Sequence, residues 1–139
     1  MSDSRIKIEA VIAAPVAKVW DNWTKPEHIT KWNFAIDTWQ CPSATNDLKV
    51  GGKYLARMEA KDGSFGFDFV GIYNEVINQK RLSYALEDGR QVTTDFESVS
   101  SGTKVTTVFE AEKENPVDMQ KNGWQAILDN FKKYVESAS

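Results

Sequence analysis

The stretch that decides the fold is PVDMQKNGWQAILDNFKKYVES, residues 116–137. Pro116 suits the first position of a helix, where its missing N–H costs no hydrogen bond. We expect an apolar side formed by Met119, Trp124, Ile127, Leu128, Phe131 and Val135. We expect a solvent side formed by Gln120, Lys121, Asn130 and Lys132. About twenty helical residues span roughly 30 Å, which is enough to cross a small sheet.

The segment before this helix has a period of two from Gly51 through Glu110, which is typical of strands. Short turns at Asp62-Gly63, Asp88-Gly89 and Ser101-Gly102 separate the alternating runs. Successive strands joined by such turns predict an antiparallel meander. Gly71 interrupts one run, and a glycine inside a strand often marks a bulge or bend that curves a sheet.

The N-terminal third begins with a half-buried strand over residues 6–12, followed by a helix after Pro15. Val16, Val19, Trp20 and Trp23 have the spacing of one helical face. Thr24 and Glu27 fit a capping box, which predicts a second short helix from Pro26 to Trp32.

Residues 33–50 are less regular. Trp39 and Cys41 indicate a strand near residues 36–41 that ends at Pro42, and residues 43–47 read as a loop. The whole order is then strand, two short helices, six-strand meander and long helix. This order predicts an α+β fold, with the helices on one face of a curved antiparallel sheet. With no repeat or linker, we expect one domain over residues 1–139.

Composition excludes several classes of protein. Hydrophobic residues at 41% and charged residues at 27% are ordinary globular values. The net charge of −3 and the scattered lysines argue against a nucleic-acid partner. The sequence has no apolar signal region and no run long enough for a membrane span, so we expect a cytoplasmic protein. A single cysteine, Cys41, excludes an internal disulfide and a multi-cysteine metal site.

Six segments, taken in order, resemble the START-like (SRPBCC) superfamily with its helix-grip, Bet v-like fold. They are residues 14–20, 23–32, 47–54, 71–82, 102–105 and 123–128. Within it the chain looks closest to the group named after the C-terminal domain of the activator of the ninety-kilodalton heat-shock protein ATPase. The resemblance covers residues 5–136.

The resemblance implies a cavity between the long helix and the concave sheet, used by relatives for hydrophobic or amphipathic ligands. The chain departs from the family pattern at Lys49, where arginine is usual, and at residues 78–80, where proline is frequent. Lysine cannot make the two-pronged anion contact that arginine makes.

An aromatic-rich set of inward positions provides the candidate ligand-binding residues, since apolar walls with a few polar tips are typical of ligand sites. The set is Trp39, Tyr54, Met58, Phe67, Phe69, Tyr84, Phe96, Phe109, Gly123 and Trp124. Each of these residues can instead belong to a filled core. For Gly123, we expect close packing of the helix on the sheet, and the alternative is space for a ligand beneath Trp124.

Residues with catalytic chemistry are sparse. His28 is expected to face solvent without metal-ligand neighbours, and Cys41 to be a small buried or loop residue. Asp68 should lie on the outer face of its strand. Glu75 follows the irregularity at Gly71, so its direction stays open; turned inward, it would have a raised pKa and could act as an acid or base. No phosphate-binding or catalytic motif is present, and we expect no cofactor and no metal.

Three functions remain in competition. The leading hypothesis is non-enzymatic binding of a small hydrophobic molecule or lipid by a monomer or weak homodimer. The second is an enzyme of the polyketide-cyclase or hydrolase type that uses the same cavity. The third is a regulator of a chaperone ATPase that acts through protein contact, as the group name suggests.

Overall fold

A computed structural model describes residues 5–113 and 115–137. The elements in chain order are β1 (Arg5–Ile12), α1 (Val16–Thr24), α2 (Pro26–Trp32), β2 (Trp39–Asn46), β3 (Lys53–Ala60), β4 (Gly66–Ile77), β5 (Arg81–Leu86), β6 (Gln91–Val99), β7 (Gly102–Glu110) and α3 (Val117–Ser137). None of the helices in these two ranges combines the length and apolar character that a membrane crossing requires.

The seven strands form one antiparallel sheet in the order β1-β7-β6-β5-β4-β3-β2. Strands β2 to β7 are the predicted meander, and β1 returns to pair with β7 along its whole length, from Arg5 opposite Glu110 to Ile12 opposite Thr103. Alternate residues of every strand face the helices, which is why the sequence reads with a period of two. The predicted α+β helix-grip fold is confirmed.

The core side of α3 differs in phase from the predicted apolar side. Leu128, Phe131 and Val135 are buried as expected, but Met119 is 61% exposed and Gln120 is buried. Gln120 lies four residues before Trp124, so these two side chains share a face, and Met119 does not. Asn130, also predicted for the solvent side, is partly buried and donates from Nδ2 to the carbonyl of Trp32 at 2.8 Å.

Both sheet edges are protected. At the free edge of β1, two side chains of α3 donate hydrogen bonds to backbone carbonyls. Gln125 Nε2 donates to the carbonyl of Glu9 at 3.3 Å, and Lys132 Nζ donates to the carbonyl of Val11 at 2.8 Å. At the other edge, β2 runs through Pro42 with a register shift between Gln40 and Ser43. Proline and bulges are common on edge strands, where a missing N–H costs no ladder bond. The predicted end of the strand at Pro42 and the loop at residues 43–47 were therefore wrong.

The bulge in β4 lies later than predicted. Gly71 pairs regularly with Leu86, and the register shift falls between Tyr73 and Glu75. Glycine at position 71 instead leaves space for a neighbouring ring, because a Cβ there would lie 2.4 Å from Cδ1 of Tyr84. The ring of Tyr84 thus occupies the space that a side chain at Gly71 would fill.

The capping box at Thr24 was also wrong. Thr24 is the last residue of α1, and its hydroxyl donates to the carbonyl of Trp20 at 2.8 Å. Lys25 precedes α2 without a side-chain cap, and Pro26 starts the helix. The two predicted short helices are otherwise confirmed at Val16–Thr24 and Pro26–Trp32.

Candidate functional site

A cavity of about 350 Å³ lies between the concave face of the sheet and the three helices. Its walls come from every strand except β2, from all three helices and from the segments that follow α2, β5 and β7. The lining residues are Ile8, Trp23, Trp32, Asn33, Tyr54, Met58, Phe67, Phe69, Tyr73, Tyr84, Arg90, Thr94, Thr107, Glu112, Asn115, Gln120, Trp124, Ile127 and Leu128.

Six of the ten predicted site residues lie on this wall. They are Tyr54, Met58, Phe67, Phe69, Tyr84 and Trp124. Phe67 is 42% exposed, so it marks a place where the cavity reaches the surface.

Three predicted residues are separated from the cavity by other rings. Phe109 is covered by Trp124, whose ring stacks on it with centroids 3.8 Å apart. Phe96 packs edge-on against Trp23, which lines the cavity, with ring centroids 5.9 Å apart. Trp39 contacts Phe65 and Phe67 beside the hairpin between β3 and β4. Facing the concave side of the sheet is thus not sufficient to reach the cavity.

The fourth predicted residue outside the lining is Gly123, and neither close packing nor ligand space at this position was a correct prediction. A Cβ built on it has no atom of another element within 4 Å, so the helix does not pack closely there. Gly123 is also not a lining residue, although Trp124 beside it is.

Aromatic rings form one continuous wall because Gly71 lets the ring of Tyr84 extend across β4. Tyr84 then stacks on Tyr54 of β3, with centroids 5.8 Å apart and planes 22° apart. Phe69 and Tyr73 meet the same ring edge-on at 6.2 Å and 5.9 Å. Edge-on and offset arrangements are the favourable geometries for aromatic pairs.

Three phenols on this wall, Tyr54, Tyr73 and Tyr84, are called the cavity phenols below. Burial raises the pKa of each well above the ordinary value for tyrosine. For Tyr54 and Tyr84, a neighbouring phenol raises the pKa further. The cavity phenols are therefore uncharged hydrogen-bond donors at neutral pH.

The cavity also contains a pair of hydroxyls that the sequence interpretation did not include. Thr94 of β6 and Thr107 of β7 are both buried, and their Oγ1 atoms lie 2.9 Å apart. One hydroxyl must donate to the other, which leaves the second proton of the pair uncommitted. Threonine at an inward position between apolar neighbours was the available signal for this pair.

One end of the cavity, defined by Arg90, Glu112, Asn115 and Gln120, is polar. The side-chain amide of Gln120 forms three hydrogen bonds with the backbone of the loop between β7 and α3. Its Oε1 accepts from the N–H of Glu112 at 2.9 Å, and its Nε2 donates to the carbonyls of Glu112 and Asn115. The carboxylate of Glu112 accepts two hydrogen bonds from Asn115. Arg90 Nε donates to Asp88 Oδ2 at 2.7 Å.

The other residues of chemical interest lie away from the lining. Asp68 and Glu75 are on the outer face, beside Arg57 and Arg81 respectively, so Glu75 does not turn inward. Cys41 is buried and has a pKa raised by burial to about 11. His28 is partly buried with Nδ1 2.7 Å from the hydroxyl of Tyr134, so the expectation that it faces solvent was wrong.

No cluster of metal-ligating side chains occurs within residues 5–113 and 115–137. At the family departure, Lys49 is 71% exposed and pairs with Asp47 at 3.8 Å. Lys49 is not a lining residue of the cavity.

A curved antiparallel sheet that grips a long C-terminal helix over an aromatic cavity defines the START-like class. Within that class, residues 13–136 match the family model described as Activator of Hsp90 ATPase homolog 1-like protein, and the chain belongs to this family. No curated protein matches the chain.

Solved structures agree with this assignment. The AHSA1-like protein from Aeromonas hydrophila is 45% identical, with a TM-score of 0.91 over 96% of this chain and 93% of that one. Chr148 from Cytophaga hutchinsonii is 42% identical, with a TM-score of 0.84 and the same coverage of both chains. CV1439 from Chromobacterium violaceum, at 24% identity and a TM-score of 0.84, shares the fold over 95% of this chain and 97% of its own.

Proposed function

We propose that the chain binds a small hydrophobic or amphipathic molecule in the cavity and does not transform it. The observation that carries this proposal is a space of about 350 Å³ walled mainly by aromatic side chains, with a few hydroxyls among them. That volume and make-up fall within the usual range of small-molecule sites. Members of this fold family commonly bind hydrophobic ligands, which supports the same conclusion.

The chemistry of the wall favours binding over catalysis. General acid–base catalysis most often uses a carboxylate or an imidazole that exchanges a proton with the substrate. Among the described lining residues the carboxylate is Glu112, and both of its oxygens accept hydrogen bonds from Asn115. The family description names an ATPase activator, but the cavity gives no support for that activity in this chain.

The test is a thermal-shift and native mass-spectrometry screen against lipids and small metabolites. A ligand present at a hundred times its Kd should stabilise the fold by about 2.7 kcal/mol. Ile127→Trp places a larger side chain in the cavity wall and should abolish the shift, whereas Met119→Trp changes an exposed residue of the same helix and should preserve it.

The outcomes separate clearly. Stabilisation of the Met119→Trp variant but not of the Ile127→Trp variant supports binding in the cavity. Equal stabilisation of both variants would place the ligand elsewhere. If no compound in the screen stabilises the parent chain, binding is not its function.

A further inference from the structure

Within residues 5–113 and 115–137, the hydroxyl of Tyr84 has no hydrogen-bond acceptor. Tyr84 lines the cavity, and none of the described residues forms a hydrogen bond with its hydroxyl. Its three aromatic neighbours hold the ring in place on the wall. A rigid donor of this kind is suited to fixing the orientation of a ligand.

The other two cavity phenols differ in what they can offer. Tyr73 donates its proton to Asn46 Oδ1 at 2.8 Å, so this proton is already used. The hydroxyl of Tyr54 accepts from Asn33 Nδ2 at 3.1 Å, which leaves its own proton available. Tyr54 and Tyr84 are stacked neighbours, so the two available phenol protons belong to one part of the wall.

No net positive charge accompanies these donors. The charged residues of the described lining are Arg90 and Glu112, and Arg90 is already paired with Asp88. A ligand carboxylate would therefore lose its hydration in the cavity without gaining a free cationic partner. Burying an unpaired charge is far more costly than burying a hydrogen-bonded neutral group.

We propose that the ligand is an uncharged amphipathic molecule that presents a carbonyl-type oxygen to the hydroxyl of Tyr84, with Tyr54 as the second donor. This inference rests on the proposed binding function and specifies the chemical class of the ligand. The cavity has the volume of roughly twelve liquid water molecules. The ligand body is thus on the order of a dozen non-hydrogen atoms.

Three probes of similar length test the class: methyl heptyl ketone, nonane and octanoate. Octanoate has the shape of the ketone with a carboxylate in place of the acetyl group, and nonane lacks the oxygen. Each is titrated into the protein at neutral pH, with Kd measured from tryptophan fluorescence, because Trp124 lines the cavity. We expect the ketone to bind at least about tenfold more tightly than octanoate, since only octanoate buries a charge.

Tyr84→Phe removes the donor and keeps the ring. It should weaken the binding of the ketone about three- to tenfold, which corresponds to one lost hydrogen bond, and should not weaken the binding of nonane. The matched control is Tyr134→Phe, because Tyr134 lies outside the lining and bonds His28. The carbonyl stretching band of the bound ketone should shift to higher frequency in Tyr84→Phe and stay unchanged in the control.

Tighter binding of octanoate than of the ketone would overturn the inference. So would an equal effect of Tyr84→Phe on the ketone and on nonane. If none of the three probes binds but the broad screen finds a ligand, the Kd of that ligand is measured with Tyr84→Phe. Weaker binding supports the inference, and unchanged binding overturns it. If the screen also finds nothing, the proposed binding function itself fails.

Discussion

Gly71→Ala offers the sharpest test of how the aromatic wall is built. The new Cβ would lie 2.4 Å from Cδ1 of Tyr84, whereas ordinary contacts of this kind begin at 3.4 Å, so the ring must retreat by about 1 Å. The ring has little freedom to do so, because Tyr54 stacks on it while Phe69 and Tyr73 meet it edge-on.

The expected cost follows from this crowding. Adding one methyl group to a well-packed site usually costs about 1–3 kcal/mol. For a chain of this size, that range corresponds to a fall in Tm of roughly 4–12 °C. Reversible denaturation in guanidinium chloride, followed by circular dichroism, gives the free energy of unfolding directly.

A double-mutant cycle with Tyr84→Ala separates the clash from any general effect of alanine in the strand. Tyr84→Ala removes the ring that Gly71→Ala would strike. In the Tyr84→Ala background, Gly71→Ala should therefore be neutral or slightly stabilising. A cost of the same size in both backgrounds, or no cost in the parent chain, would refute the role assigned to Gly71.

Three further predictions concern other parts of the molecule. Gly123→Ala should raise the free energy of unfolding by about 0.5–1 kcal/mol, because its methyl group meets open space in a helix interior; a destabilised variant would instead indicate close packing. Burial raises the pKa of the Cys41 thiol from 9.0 to about 11, so alkylation at about pH 8 should be roughly a hundredfold slower in the native protein than in urea; equal rates would contradict this burial. The cavity phenols keep their protons in the fold, whereas in the unfolded chain they lose them near pH 10. Stability should thus be unaffected by these groups below that pH and should fall above it by about 1.4 kcal/mol per pH unit for each phenol, as measured by urea denaturation; a flat profile would be inconsistent with their burial.

The parts of the fold that the sequence predicted are those with a long, uninterrupted period. In the meander and in α3, many residues follow the same hydrophobic period, so a single exception does not hide the pattern. The predicted strand ends at Pro42 because proline normally ends a strand. An edge position removes that restriction, and edge positions are set by the whole sheet.

The site was only partly predictable for a related reason. Alternation shows which residues face the helices, and Tyr54, Phe69 and Tyr84 were found in this way. It does not show which inward residue another ring covers, as Trp124 covers Phe109. The buried position of Gln120 was missed because its amide satisfies the backbone of a loop, a pairing that no local pattern indicates.

The pairing of β1 with β7 has a consequence for the order of events during synthesis. Each strand from β3 to β7 can join its predecessor as soon as it is made, but β1 pairs only with β7 and waits for a partner about a hundred residues later. At typical translation rates this delay is roughly 5–20 seconds. Throughout that interval the face of β1 that carries Ile6, Ile8 and Ile12 has neither its strand partner nor α3 to cover it. Within the sheet, β1 is therefore among the last strands to find its place, and its pairing with β7 joins the strands that lie farthest apart in the sequence.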